Sequence, residues 1–144
     1  MIDSPILAPA ATLILWSMVV LLWMVSTRFP AFTKAGLNVL EADPGMRYQE
    51  IETQLPAKIN WKSHNYTHLM EQPTLFYATV GVLALAGEGG GINLTLAWVY
   101  VGLRVVHSLW QILVNTIPTR IALFTLSSFF LLALAINAVR ATLL

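Results

Sequence analysis

The segment from Tyr100 to Arg120 reads YVGLRVVHSLWQILVNTIPTR, and polar side chains recur in it at helical spacing within an apolar run. At 100° per residue, five of them fall within an arc of about 80° on one helix, and apolar residues cover the rest of the surface. These five are Tyr100, Arg104, His107, Gln111 and Asn115. Pro118 ends this helix, and Arg120 falls in the first turn of the next. The pattern predicts fixed positive charge inside an apolar helical protein.

The composition indicates an integral membrane protein. Of the 144 residues, 57% are hydrophobic and only 10% are charged, whereas charged residues make up about a quarter of soluble domains. A net charge of +1 from eight scattered Lys and Arg residues provides no basic face, so we expect no nucleic-acid partner. The chain has no cysteine, so a reactive thiol would have to come with a ligand.

Four segments are long enough to cross a hydrocarbon core of about 30 Å. The turn Gly87-Glu88-Gly89-Gly90-Gly91 separates the second segment from the third. We therefore predict an all-α fold: a single domain over residues 1–144 that forms an integral membrane four-helix bundle with left-handed up-down topology. The predicted helices cover about 6–27, 57–86, 92–115 and 118–143.

Residues 28–56 form the polar connection between the first two predicted helices. Five of the eight basic residues lie in or just after it: Arg28, Lys34, Arg47, Lys58 and Lys62. By the positive-inside rule we expect this side to be cytoplasmic and both termini to lie on the non-cytoplasmic side. We also expect a short surface helix near 47–54, and a kink where Pro73 interrupts the second membrane helix.

Arg104 and Glu71 lie at similar depths in the predicted bundle. Counted from the Gly-rich turn at 1.5 Å per residue, Arg104 lies about 18 Å deep, and Glu71 and His107 about 22 Å deep. An unpaired Arg at such depth costs roughly 2.5 to 3.5 kcal/mol. We therefore expect Arg104 to face the interior and to pair with Glu71, the only acidic residue at that level.

The other polar residues near this pair admit more than one interpretation. They could act as interhelical hydrogen-bonding groups that fix helix register. There are more polar side chains here than are needed to fix helix register, which favours a water-accessible cavity or a bound polar ligand. They are Asn65, His68, Gln72, Gln111 and Asn115. A metal site would use His64, His68 and Glu71, at i, i+4 and i+7, together with His107. This spacing is not specific and the helical zinc motif is absent, so we predict no metal site.

Arg120 is poorly placed for helix stability, because the macrodipole disfavours a cation near a helix N-terminus. Free backbone N–H groups together with a guanidinium make a good anion site. The alternative is an interfacial Arg that follows the positive-inside rule.

The chain resembles the MAPEG family (membrane-associated proteins in eicosanoid and glutathione metabolism), in the form of a bacterial-type member. The resemblance rests on the four-span layout, on Arg104-x-x-His107 followed by Pro118-x-Arg120, and on Asn65. The stretch HLMEQPTLFYA also looks like the Asn-Leu-x-Glu-x-Pro-x-Leu-Phe-Tyr signature of a bacterial branch. The resemblance to the family covers most of the chain, and the long polar connection contributes little to it.

The resemblance implies an enzyme similar to microsomal glutathione transferases. Glutathione would be the co-substrate, held between the subunits of a homotrimer near the cytoplasmic face. The reaction would be a transferase or peroxidase reaction on lipophilic electrophiles, with Arg120 stabilising the thiolate. The residues that would bind glutathione are Arg104, His107, Asn65, Glu71, His68, Gln111 and Arg28.

Two positions depart from the family pattern. Gln111 stands where eicosanoid members carry a Tyr, and their Asn-x-x-Glu reads here as Asn65-x-x-His68, with Glu71 one turn further on. The alternative to an enzyme is a non-catalytic MAPEG-like module that binds membrane lipid or quinone, or an accessory subunit of a larger membrane complex.

Overall fold

The computed structural model describes residues 4–38 and 41–143, and within these the chain is all-helical with no strand, as predicted. The fold class therefore follows the sequence expectation. Six helices occur in this part of the chain: α1 (Leu7–Lys34), α2 (Tyr48–Glu52), α3 (Ala57–Met70), α4 (Gln72–Leu85), α5 (Gly91–Leu113) and α6 (Ile117–Leu143).

Three of these helices, α1, α5 and α6, are long and apolar enough to cross a membrane, counted among the described residues. They keep large apolar side chains exposed, such as Leu15, Leu22 and Phe129. Water would penalise this surface, whereas lipid chains would not. The remaining predicted span corresponds to α3 and α4, which have 14 residues each. A four-span bundle therefore stays a prediction.

The first helix is longer than the sequence predicts, since α1 continues past residue 27 to Lys34. Pro30 lies inside it and removes one backbone hydrogen bond. Packing against α3 supports the extra turns: Arg28 Nη1 donates to Ser63 Oγ at 3.1 Å, and the Arg28 guanidinium lies 5.3 Å from the centroid of the Phe32 ring. Arg28 is therefore buried between two helices and does not mark the end of α1.

The second predicted helix is broken at Glu71, whose backbone has φ −84° and ψ −97°. Pro73 has no N–H to donate to the carbonyl of Leu69, and its ring clashes with a continuing helix. The chain changes direction at this point and restarts as α4, with Pro73 in its first turn. The expected kink at Pro73 is thus a full interruption two residues upstream of the proline.

Helix α5 contributes the buried centre and contacts α1, α3 and α6. Its Tyr100 ring stacks on that of Phe76 from α4, with centroids 4.5 Å apart. One hydroxyl joins three helices: Ser108 Oγ accepts hydrogen bonds from Trp16 Nε1 of α1 at 2.9 Å and from Asn65 Nδ2 of α3 at 2.7 Å. This shared acceptor fixes how α1 and α3 lie against α5.

We predict that Ser108→Ala destabilises the protein by roughly 1 to 3 kcal/mol, because it leaves the buried amide of Asn65 and the part-buried indole N–H of Trp16 without an acceptor. Thermal unfolding in detergent measures the effect. Ser26→Ala is the matched control, since the Ser26 hydroxyl is exposed and bonds only to the Trp23 carbonyl of its own helix. Equal unfolding temperatures for the two variants would contradict the shared-acceptor role.

Candidate functional site

A cavity of about 440 Å³ opens where α3, α5 and α6 meet. Its wall combines ionisable side chains with apolar ones. The lining residues are His68, Glu71, His107, Ile117, Arg120, Ile121 and Phe124. Four of the predicted site residues therefore come together around one space, and Arg104 and Gln111 lie next to them.

Arg104 does not form the expected ion pair with Glu71, and no other ion pair of Arg104 occurs in the described part of the chain. Its Nη2 donates instead to the backbone carbonyl of His68 at 2.9 Å. The break at Glu71 explains this partner, because the carbonyls in the last turn of a helix lack intrahelical donors. The negative end of the α3 dipole also favours a cation there.

One acceptor satisfies only part of the Arg104 guanidinium. The side chain is 1% exposed, and its Nε and Nη1 are buried without a hydrogen-bond partner among the described residues. The guanidinium carbon lies 5.7 Å from the centroid of the Phe124 ring, which lines the cavity. Because a buried donor without an acceptor is costly, these two groups are suited to an anionic or carbonyl-bearing ligand.

Gln111 and His68 add further unused hydrogen-bonding capacity. Gln111 is fully buried and lies close to His68, and among the described residues neither atom of its amide reaches a partner within hydrogen-bonding geometry. In the same part of the chain, His68 Nδ1 is also buried without a partner. The His68 ring stacks against that of His107 with centroids 6.2 Å apart, so both rings are held in place. The polar seam predicted on α5 is therefore real, and much of it is not satisfied by the protein itself.

Arg120 is held at the cavity wall by the end of α5. Asn115 adopts a left-handed backbone conformation, with φ 61°, which Asn tolerates better than most residues and which ends α5. Its Oδ1 accepts a hydrogen bond from Arg120 Nη1 at 2.8 Å. Arg120 Nε is buried without a partner. The helix α6 begins at Ile117, so Arg120 lies in its first turn as the sequence predicts.

Two predicted ligand residues lie away from the cavity lining. Asn65 is directed to Ser108, and Arg28 to Ser63. His64, from the metal alternative, bonds instead to Glu52 Oε1 at 3.0 Å. Among the described residues, no group of three or more His, Cys, Asp or Glu side chains is arranged to hold a metal ion.

Sequence reasoning missed two residues that shape this region, Phe124 and Ser108. Phe124 lies four residues after Arg120, which places both on one face of α6, so the helical period could have identified it. Ser108 follows His107 and is fully buried. Nothing in the spacing distinguishes it from an ordinary small residue in a membrane helix.

A smaller pocket of about 270 Å³ adjoins the cavity and shares His68 and Glu71 with it. The other lining residues are all polar and come from α2 and α3: Gln49, Glu52, His64 and Thr67. The cavity itself has exposed Ile117 and Ile121 at its rim. The region therefore has a polar approach on one side and an apolar one on the other.

The sequence model of one protein family, described as the MAPEG family, matches residues 6–140 of the chain. This range contains every residue that lines the cavity. No curated protein and no solved structure gives a significant match.

We predict that Arg104→Met leaves the unfolding temperature of the ligand-free protein unchanged or raises it. Burying a guanidinium costs several kcal/mol, and replacing an incompletely paired buried charge by an apolar side chain is often neutral or stabilising. Arg28→Met is the contrasting variant, because Arg28 is held by Ser63 and Phe32; it should lower the unfolding temperature. A larger fall for Arg104→Met than for Arg28→Met would mean that Arg104 serves stability.

Proposed function

The chain belongs to the MAPEG family, as its sequence resemblance predicted, and from this premise we propose that it is a membrane-embedded glutathione-dependent enzyme. The reaction is a transferase or peroxidase reaction on lipophilic electrophiles, with glutathione as co-substrate. The observation that carries the proposal is the incompletely paired guanidinium of Arg104, buried beside a cavity whose wall also holds Arg120.

The charges of the site match those of glutathione, which has two carboxylates, one ammonium group and two amides. A carboxylate can accept hydrogen bonds from the free Nε and Nη1 of Arg104. The buried amide of Gln111 offers both a donor and an acceptor to a peptide group. The carboxylate of Glu71 lies at the junction of the two pockets, where it is able to receive the ammonium group.

Arg120 is the residue we assign to the chemical step. A free thiol has a pKa of about 8.5, so only a minor fraction is thiolate at neutral pH. A guanidinium together with a helix N-terminus stabilises the thiolate and lowers the pKa of the thiol. The thiolate then attacks the electrophilic carbon, an S–C bond forms, and the leaving group departs with the bonding electrons. Asn115 positions Arg120 through the 2.8 Å hydrogen bond.

The two approaches to the cavity suit the two substrates. Glutathione is polar and would enter through the pocket between α2 and α3, near the cytoplasmic face. The electrophile is lipophilic and would enter from the bilayer past Ile117, which is 65% exposed, and Ile121. The two reactants therefore meet without either one crossing an environment that it avoids.

The proposal includes a homotrimer of four-helix, left-handed up-down subunits in a bacterial inner membrane, with both termini on the non-cytoplasmic side. In this assembly α3 and α4 together form the second of the four membrane spans. Neighbouring subunits would cover part of the exposed apolar surface and would help to enclose glutathione. Asn65 and Arg28, which lie away from the cavity in the single chain, would have to reach it through such a neighbour or act only in packing.

A second candidate is a non-catalytic membrane module that binds lipid or quinone, or an accessory subunit of a larger complex. It is favoured by the contacts that the polar residues make within the chain: Arg104 to the His68 carbonyl, Arg120 to Asn115, and Asn65 to Ser108. In this case the polar seam serves helix packing, and the cavity holds an apolar or weakly polar ligand.

Titration calorimetry of the purified protein with glutathione distinguishes the two candidates. We expect binding to the parent protein, with a matching rise in unfolding temperature. Arg104→Gln should weaken binding by at least tenfold, because it removes a charge-assisted contact of about 1.5 to 3 kcal/mol. Arg47→Gln, in the exposed polar connection, is the control. No heat and no thermal shift with the parent protein would favour the non-catalytic module.

For catalysis, we predict that Arg120→Gln lowers kcat/KM for conjugation of glutathione to a small aromatic electrophile by tenfold or more at neutral pH. Its pH profile should also change: without the guanidinium the thiol pKa rises towards about 8.5, so the rising limb moves to higher pH. Arg47→Gln again serves as the control. Conjugation by Arg120→Gln at the parent rate and pH profile would remove Arg120 from the mechanism.

A further inference from the structure

A second polar pocket lies at the opposite end of the helices, with a volume of about 340 Å³. Asn93 is 14 residues before His107 on α5, or about 21 Å, and Arg140 is 20 residues after Arg120 on α6, or about 30 Å. The pocket is therefore about one bilayer thickness away from the candidate site. Its lining residues are Glu88, Ile92, Asn93, Asn137, Arg140 and Ala141.

Two asparagines that line this pocket are held in place by hydrogen bonds. Asn137 Nδ2 on α6 donates to Asn93 Oδ1 on α5 at 2.7 Å, and Asn93 Nδ2 donates to the Glu88 carbonyl at 2.9 Å. Asn93 is only 5% exposed. The chain of hydrogen bonds ties the turn before α5, the start of α5 and the end of α6 into one unit. The pocket is thus formed before any ligand binds.

Opposite charges face this pocket without neutralising each other. Glu88 and Arg140 both line it and both are exposed, and the described residues contain no ion pair between them. The start of α5 adds positive potential, because its N-cap residue Gly90 has no side chain to cap the first N–H groups. The pocket therefore offers a site for an anion beside Arg140 and a site for a cation beside Glu88.

The apolar side chains that line the pocket, Ile92 and Ala141, are both exposed, and Ile92 is 64% exposed. They belong to α5 and α6, which are long and apolar enough to cross a membrane. A soluble ligand would gain nothing from these side chains, whereas the acyl chains of a lipid would cover them. The combination calls for a ligand with two charges at one end and hydrocarbon at the other.

We propose that this pocket binds a phospholipid with a phosphoethanolamine headgroup. The phosphate lies at Arg140 and the N-terminus of α5, and the primary ammonium donates to the Glu88 carboxylate. A quaternary ammonium has no N–H to donate, and a glycerol headgroup has no positive charge. The site should therefore discriminate between headgroups that share the same phosphate and the same acyl chains. This inference does not depend on glutathione chemistry.

Thermal unfolding of the full chain in mixed micelles tests the proposal, with phosphatidylethanolamine, phosphatidylcholine and phosphatidylglycerol of identical acyl composition. We expect the shift with phosphatidylethanolamine to be at least twice that with either other lipid. Glu88→Gln should reduce this shift to that of phosphatidylcholine, and Arg140→Gln should reduce the response to all three. Glu41→Gln and Arg47→Gln, exposed in the polar connection at the other end, are the matched controls.

Soluble phosphoethanolamine, added at the same concentration, separates a lipid site from a site for a free phosphate compound. We expect it to give a much smaller shift because it lacks acyl chains. A shift equal to that of the lipid would overturn the assignment of a lipid, and equal shifts for the three lipids would overturn the assignment of the headgroup. An unchanged response in both Glu88→Gln and Arg140→Gln would overturn the pocket as the site.

Discussion

The end of α3 at Glu71 is the constraint on which the candidate site depends. The Arg104 guanidinium, 1% exposed among apolar helices, needs compensation, and it receives it from the backbone carbonyl of His68 and not from a carboxylate. That carbonyl is available because α3 stops at Glu71, and α3 stops there because Pro73 cannot continue it. The identity of one proline thus determines the partner of an arginine on another helix.

The cavity follows from the same interruption. His68 lies in the last turn of α3 and Glu71 at the break, and both line the same cavity as His107 of α5 and Arg120 of α6. The end of α5 contributes in a similar way, since the left-handed conformation of Asn115 brings its side chain back to Arg120. Two helix ends therefore place His68, Glu71 and Arg120, whereas Arg104, His107 and Gln111 come from the continuous polar face of α5.

The sequence was sufficient for the parts of the structure that depend on periodicity and composition. The all-helical fold follows from composition and periodicity, and the family follows from the resemblance of its motifs. The grouping of His68, Glu71, His107 and Arg120 around one cavity, with Arg104 beside it, follows from helical spacing and from depth counted along the helices. The position of Gln111 beside them follows from the same seam.

The sequence did not predict correctly which of these groups bond to each other. Helical spacing gives the depth of Glu71 but not the backbone angles at a break, so the pair with Arg104 was wrong and the full interruption was missed. Local rules also gave too short a first helix: α1 continues past Pro30 to Lys34, and Arg28 bonds to Ser63 of α3. The break at Glu71 is a local effect of Pro73, whereas a tertiary contact that the sequence alone does not show accompanies the longer α1.

The use of a helix end as the counter-charge of Arg104 has an electrostatic consequence. A helix terminus carries about half an elementary charge, so it leaves roughly half of the guanidinium charge uncompensated, whereas a carboxylate would cancel it. Arg120 adds a full positive charge to the cavity wall and Glu71 a negative one, so the uncompensated part of the Arg104 charge leaves a small positive excess before any guest arrives. For the enzyme that we propose, a thiol with net negative charge would be attracted to this wall more strongly than a neutral or cationic one. Selection among thiols would then begin with their charge, before their shape is tested.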